Sequence, residues 1–309
     1  MWHRWDEKIK LRHLRVAMAI HEHGSVTDAA EALFVSQAAV SKTIAEAEET
    51  LQVELFVRRG RGIVPTEAGV KFIQYGQRIS AEIRVLEAEL TALSHGVSGQ
   101  VVIGTSAVSA HIFTAEVITH LKGRSPGINI RLHNYYGVDI LTDLRAGKLD
   151  LAIAPISAPD LAPDLEAVSL LNSEPVLVAG VGHPAIAMKQ ADWESLTGFC
   201  WCLPPPNSRW RIHLEKHWAE LGMPSPSNLV ESAYSMTLLA LLRAMPALSV
   251  LPEGVARYWE EQGYLVRLPH FIPMTTDPVG LIWSKSLSLA PAARVVKETA
   301  FTLLQREAL

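Results

Sequence analysis

The sequence predicts an α/β protein with a small all-α domain at its front. Three observations predict it. Residues 1–65 carry short Ala-rich helical patterns that end in a strand–turn–strand stretch. Residues 66–96 carry one uninterrupted helical pattern. From Gly99 onward, apolar strand-like runs alternate with helical segments, the order expected of mostly parallel sheets covered by helices.

The bulk numbers bound the rest. A chain of 309 residues has ample core for two or three domains. Its 49% hydrophobic and 19% charged residues are an ordinary soluble balance. The net charge of −4 does not point to nucleic acid, so a DNA-binding reading must rest on local clustering. The two cysteines, Cys200 and Cys202, fit a reducing cytoplasm without disulfides. On a strand both thiols share one face, and core packing is their expected role. The apolar run at 16–20 is too short for a signal core. No stretch approaches the roughly 20 apolar residues of a membrane helix. A cytoplasmic protein without a membrane partner is the expectation.

In the first region, Leu11, Leu14, Val16, Ala17 and Ile20 form a helical apolar face, and Gly24 suits its C-cap. Ser25 then caps a short helix, with Asp28 placed to reach back in a capping box. Ala29, Ala30 and Leu33 face inward, and the helix stops near Phe34 and Val35. Ser36 caps another helix whose buried face is Val40, Ile44, Ala47 and Leu51. Two helices joined by a tight turn, with small residues at their crossing, form a helix-turn-helix pattern. Gln37, Ala38, Ser41 and Lys42 lie off the buried stripe near the N-terminus of the second helix, where a recognition helix presents side chains to base edges. Gln can bond adenine through two atoms, Lys can reach guanine, and Ser adapts to either. Alone, the same pattern is an ordinary solvated face.

Residues 55–66 read as strand, Gly-bearing turn and strand, with Arg58, Arg59 and Arg61 at the tip. An arginine-tipped hairpin beside a helix-turn-helix is a wing, suited to phosphate or minor-groove contact. Thr66 caps the long helix, whose apolar positions are Phe72, Ile79, Ile83, Leu86, Leu90 and Leu93. From Ile79 the steps are four, three, four and three, a heptad seam with Gly76 at the earlier matching position. Pairing with a second copy through residues 70–94 buries that seam at about 25 cal/mol per Å2 of apolar area; packing onto its own chain is the alternative.

The block from Leu11 to Gly69 resembles the DNA-binding end of LysR-type transcriptional regulators. The matching pieces are Gly24-Ser25-Val26-Thr27-Asp28-Ala29-Ala30, Val35-Ser36-Gln37-Ala38-Ala39-Val40-Ser41, Leu55-Phe56-Val57-Arg58, Arg61-Gly62 and Thr66-Glu67-Ala68-Gly69, at the family's spacing without a gap. The first helices resemble the branch that regulates sugar-binding-protein and protocatechuate genes. Family members usually have Pro where Ala38 stands and Leu where Pro65 stands. Losing the fixed φ of proline at the helix start is a modest effect that bears on base preference. Pro at a strand end is tolerable.

The second half fits the same resemblance. Residues 101–104, 128–132 and 149–154 read as strands, separated by helices ending near Lys122 and Gly147. A second such unit runs from about residue 171 to 270, and residues 279–283 with a helix at 290–305 return to the first. Two α/β lobes with crossing connections resemble the family's periplasmic-binding-protein-like effector domain. Ligands in such sheets bind beyond the carboxyl ends of strands. That rule picks out Thr105, Ser106, Ser109, Gly137 and Val138 in one lobe, and Pro205, Asn207, Ser208, Ser232 and Tyr234 in the other. Hydroxyls and free amides at helix starts suit an anionic or polyhydroxylated ligand, although each serine alone is equally a plain N-cap. The resemblance implies a site in the cleft between the lobes.

Other signals lead nowhere. Residues 180–185 fit G-x-G-x-x-A but lack the acidic residue about 20 positions on that takes a ribose, so a structural turn is expected. Gly104-Thr105-Ser106 begins like a nucleophile elbow, but position 108 is Val where the second glycine belongs. His213 and His217 stand four apart with no third ligand at metalloprotease spacing. No catalytic residue, metal or cofactor is expected.

The expected organisation is a winged helix-turn-helix at 1–65, a dimerisation helix at 66–96 and an effector domain at 97–309, with lobe I at 97–170 and 271–309 and lobe II at 171–270. The expected function is regulation of transcription under control of a small effector. Gln37, Ser41 and Lys42 read bases, Ser25, Thr27, Ser36 and Ala38 flank them, and Arg58, Arg59 and Arg61 hold backbone or minor groove. The expected partners are an inverted-repeat DNA operator, the effector and a second copy; the resemblance adds a tetramer and RNA polymerase. The alternatives are a cytoplasmic small-molecule-binding module and an enzyme with an accessory helical domain.

Overall fold

The structure is a computed structural model that describes residues 8–60, 62–106, 108–135, 139–156, 163–171, 174–188, 193–271 and 276–307. Helices α1 (Leu11–His23), α2 (Val26–Ala32) and α3 (Gln37–Leu51) pack around Ala17, Ile20, Ala29 and Val40, all buried. Gly24, at φ +70°, stops α1 and donates its N–H to Ile20 O. Strands β1 (Phe56–Arg59) and β2 (Gly62–Pro65) form an antiparallel hairpin, and Thr66 caps α4 (Glu67–His95) through an Oγ1 that accepts from Gly69 N. Gly69 lies so close to Leu55 O that any Cβ there would overlap it.

The start of α4 belongs to its own chain. Phe72 and Ile73 join the N-terminal core, and Gly76 meets Leu14 of α1, where an added Cβ would come within 3.2 Å. The apolar seam that stays open therefore starts at Ile79, not at the matching position of Gly76. Ile79, Ile83, Leu86, Leu90 and Leu93 are all exposed, Leu93 to 84%.

In chain order the second half contains β3 (Gly99–Thr105), α5 (Val108–Arg124), β4 (Ile128–Asn134), α6 (Asp139–Arg145), β5 (Leu151–Pro155), β6 (Leu165–Leu171), β7 (Pro175–Gly180), α7 (Trp193–Thr197), β8 (Cys200–Leu203), α8 (Arg209–Glu220), β9 (Leu229–Glu231), α9 (Ser235–Ala244), β10 (Ala247–Pro252), α10 (Glu253–Glu261), β11 (Leu265–Phe271), β12 (Val279–Ser284) and α11 (Pro291–Glu307). They build two five-stranded sheets, in the order β4-β3-β5-β12-β6 and β11-β7-β10-β8-β9. In the first, β3 runs parallel to β4 and β5, while β12 lies antiparallel between β5 and β6. Strand β6 is a fourth strand where the sequence pattern predicts three within residues 99–170. In the second sheet β8 is parallel to β9 and β10, and β7 is antiparallel to β10 and β11.

Each sheet has its own core. Val101, Ile103, Phe113, Val117 and Leu281 fill the first. The second is organised by Trp193, Trp201 and Trp218, with ring centroids 5.1–5.7 Å apart. Cys200 and Cys202 are buried and unpaired against α9, and burial pushes the Cys202 thiol up to about 11. Gly180 is a packing glycine, since a Cβ would overlap Leu242 O, and His183 Nδ1 accepts from Ala185 N to cap a short 3-10 turn. The G-x-G-x-x-A stretch is thus a close approach followed by a turn.

Helix α4 also docks on the first lobe. Arg84 donates to Gly147 O at 2.6 Å, Glu82 accepts from Ser288 N at 2.7 Å, and Glu89 pairs with Arg294. Gly147, at φ +67°, sits against Ala81 with no room for a Cβ. Among the described residues, no helix is long and apolar enough to cross a membrane. Gly69→Ala is expected to destabilise the N-terminal domain by about 1–3 kcal/mol through overpacking. Hydrogen exchange should accelerate in α1–α3 and stay unchanged in β7 and β10.

Candidate nucleic-acid interface and effector cleft

The candidate recognition face is set by which side of α3 the core takes. Val40, Ile44 and Ala47 are buried, which leaves Gln37, Ala38, Ser41 and Lys42 exposed on the N-terminal half. Ser36 Oγ accepts from Ala39 N at 3.2 Å and Ser25 Oγ from Asp28 N at 3.0 Å, so both hydroxyls act as caps. Thr27 is exposed on the first turn of α2.

The wing is pinned at two places. Ile63 N donates to Gly24 O at 3.4 Å, which ties β2 to the turn just before Ser25. Glu48 of α3 accepts from Leu55 N at 2.7 Å and Phe56 N at 3.2 Å, which ties the base of β1 to the recognition helix. Arg58 and Arg59 are exposed on β1, and Arg61 lies outside the described residues. Glu48 is not among the residues that the sequence motifs single out. Its position, four after Ile44 on the inward stripe, was the available signal.

A charged cluster braces α3 against α1. Glu46 accepts from Arg12 Nη2 at 2.9 Å, stands 3.6 Å from His13 Nε2 and has Lys42 Nζ at 4.0 Å. Burial opposes ionisation of Glu46, but Arg12, Lys42 and His13 outweigh it and hold the carboxyl below its ordinary value. His13 is buried, and that burial, with the Arg12 charge, pulls its pKa below the ordinary value despite Glu46.

At the strand ends of the first lobe, Thr105 is buried, Ser106 is half-buried, and Tyr135 N donates to Thr105 O at 2.8 Å. Ser109 lies on α5 with its side chain outside the described set, and Gly137 and Val138 lie outside the described residues. In the second lobe, Ser208 Oγ caps α8 by accepting from Arg211 N at 3.2 Å, and Ser232 Oγ accepts from Tyr234 N at 3.1 Å. Pro205 is half-buried; Asn207 and Tyr234 are exposed. Arg211, which the sequence reading passed over, is 4% exposed. It donates to Glu215 at 2.7 Å, Pro204 O at 3.1 Å and Glu231 at 3.3 Å, and so joins the carboxyl ends of β8 and β9. A groove of about 800 Å3 runs instead between α5 and α10, lined by His111, His120, Tyr258 and Trp259 among others. Among the described residues, no three His, Cys, Asp or Glu side chains gather to hold a metal.

Residues 11–70 match the bacterial regulatory helix-turn-helix proteins of the lysR family, and residues 94–304 match the LysR substrate binding domain. The chain belongs to the LysR family of transcriptional regulators. Like its family, it is a DNA-binding regulator with an effector-binding domain, not an enzyme. It is 30% identical over 288 residues to the HTH-type transcriptional regulator GbpR of Azospirillum brasilense, covering 93% of this chain and 84% of GbpR. It is 26% identical over 299 residues to PcaQ of Agrobacterium fabrum, covering 96% of each. Both are LysR regulators of the branch that the first helices resemble. A full-length OxyR variant from Pseudomonas aeruginosa shares the fold at a TM-score of 0.67, with 19% identity and 94% coverage of each chain. Full-length CbnR complexed with its target DNA does so at 0.60, with 20% identity, covering 95% of this chain and 99% of CbnR. Both solved structures support the helical N-terminus followed by a two-lobed α/β domain.

Two outcomes follow for the LysR-type N-terminal domain. Glu48→Ala leaves the Leu55 and Phe56 N–H groups without their acceptor and should cost about 1–3 kcal/mol, seen as faster exchange of the wing amides. Folding lowers the His13 pKa, so the unfolded chain binds more protons between the lowered and ordinary values. Stability of this domain therefore falls as pH drops below about 6.5, and His13→Gln should flatten that slope in denaturation at stepped pH.

Proposed function

We propose that the protein reads an inverted-repeat operator as a dimer and responds to a small anionic or polyhydroxylated effector. In this reading Gln37, Ser41 and Lys42 meet base edges in the major groove, with Ser25, Thr27, Ser36 and Ala38 alongside. Arg58, Arg59 and Arg61 meet the backbone or the adjacent minor groove. The observation that carries it is the exposed N-terminal half of α3 beside an arginine-bearing hairpin fixed to Gly24 and Glu48. The complex of CbnR with its target DNA supports the same use of the N-terminal domain.

Two copies pair within residues 70–94, along the seam that stays exposed from Ile79 to Leu93. Such dimers pair again into a tetramer, RNA polymerase is the further protein partner, and the cytoplasm is the place of action. The domains divide near residues 65 and 96, with lobe II between about 171 and 270. The effector sits at the strand ends, against Thr105, Ser106, Ser109, Gly137 and Val138 on one side and Pro205, Asn207, Ser208, Ser232 and Tyr234 on the other. It acts through differential affinity for two arrangements of lobes or dimer. The half-buried position of Ser106, just past the end of β3, supports that residue as a contact. Ser208 and Ser232 use their hydroxyls locally, so backbone groups carry more of the second wall.

Lys42→Ala should weaken binding to a DNA site selected from a random library by about 1–3 kcal/mol and relax base preference, measured by titration against selected and scrambled DNA. Arg58→Ala should weaken both DNAs alike and reduce the salt slope by about one. Equal affinity of the unmutated protein for both DNAs overturns the operator reading. Leu86→Glu with Leu90→Glu should yield monomers in sedimentation.

A further inference from the structure

The turn between α2 and α3 carries a side chain that the fold itself does not favour. Phe34 has φ +56°, in the left-handed region. Its N–H donates to Glu31 O at 3.1 Å, and Val35 N donates to Ala30 O at 3.0 Å, the paired bonds that close a helix through a left-handed residue. Gly or Asn normally fills that position, because a Cβ crowds the neighbouring backbone at positive φ. Among the described residues, the other non-glycine residue at positive φ, Gln52, uses its side chain locally, donating to Glu49 O at 2.6 Å. The Phe34 ring has no such use. It is 94% exposed, so it gains no burial in exchange for its strain.

Its location says what it meets. Phe34 stands two residues before Ser36, the cap of α3, and residues 34–39 form one continuous exposed stretch into the recognition tip. This stretch leads directly into Gln37 and Ala38, which the operator reading places at the bases. The apolar group that the major groove offers is the thymine methyl, and Phe is a side chain suited to it. We propose that Phe34 is a specificity-determining residue that packs its ring on a thymine methyl flanking the bases read by α3. This inference rests on the operator reading above.

The test uses the full chain and a DNA site selected from a random library by the unmutated protein, made with thymine or with uracil at each half-site. Phe34→Asn relieves the backbone strain and should raise the melting temperature by about 2–4 °C. It should also weaken binding to thymine DNA at least about fivefold, an effect near the lower end for one base contact. On uracil DNA the unmutated and variant proteins should bind alike. Phe34→Gly should behave as Phe34→Asn does. Unchanged binding, an equal loss on both DNAs, or a loss accompanied by a change in oligomer mass overturns the proposal. Lys42→Ala separates the two ideas: if it too binds unchanged, the operator reading fails; if it weakens while Phe34→Asn does not, only this inference fails.

Discussion

A two-stranded hairpin of four-residue arms has little stability of its own, and the proposed DNA-reading surface needs one held rigidly beside α3. Backbone hydrogen bonds add to the apolar burial of Leu55, Phe56 and Ile63 in holding it there. Glu48 gathers the Leu55 and Phe56 N–H groups onto α3, Gly24 O takes Ile63 N, and Thr66 both bonds Glu54 O and caps α4. Gly69 lets α4 start directly against Leu55 O. These contacts turn three short pieces of chain into one body, so that the side chains of α3 and the arginines of β1 share a fixed spacing.

The rest of the molecule connects to that body through α4. Its first turns pack on α1 at Gly76, and its later turns dock on the first lobe at Gly147, Ser288 and Arg294. Arg84 supplies positive charge near Asp150, whose carboxyl is pushed up by burial while it accepts from Val102 N at 2.7 Å. Asp150 leads into β5, and Val102 lies on β3, whose far end carries Thr105 and Ser106. Asp150 thus lies between β3 and the Arg84 side chain of α4, hydrogen-bonded to the first and charge-coupled to the second.

Much of this was legible in local signals. Ser25, Ser36 and Thr66 each do act as caps, and Gly24 does end α1. The heptad steps identified the open face of α4, and alternating strands and helices identified the two-lobed α/β half. What escaped is non-local. Glu48 and Arg211 act on backbone and carboxylates that come near only after folding. Strand β6 pairs with β12, far along the chain, which no pattern in residues 165–171 announces. Gly76 resembled a gap in a seam because spacing alone does not say whether α1 or a second chain fills it. The strain at Phe34 is likewise invisible until the helix end has a defined φ.

The central claim is that α3 and the wing form one surface shaped to the double helix. Chemical footprinting of the selected DNA tests it most directly, with separate probes for the two grooves. The expected result is two protected major-groove patches centred about one helical turn, or a whole number of turns, apart, each flanked by minor-groove or backbone protection from the arginine hairpin. Uniform protection with no groove preference, or a pattern unchanged when Glu48→Ala loosens the wing, would contradict it.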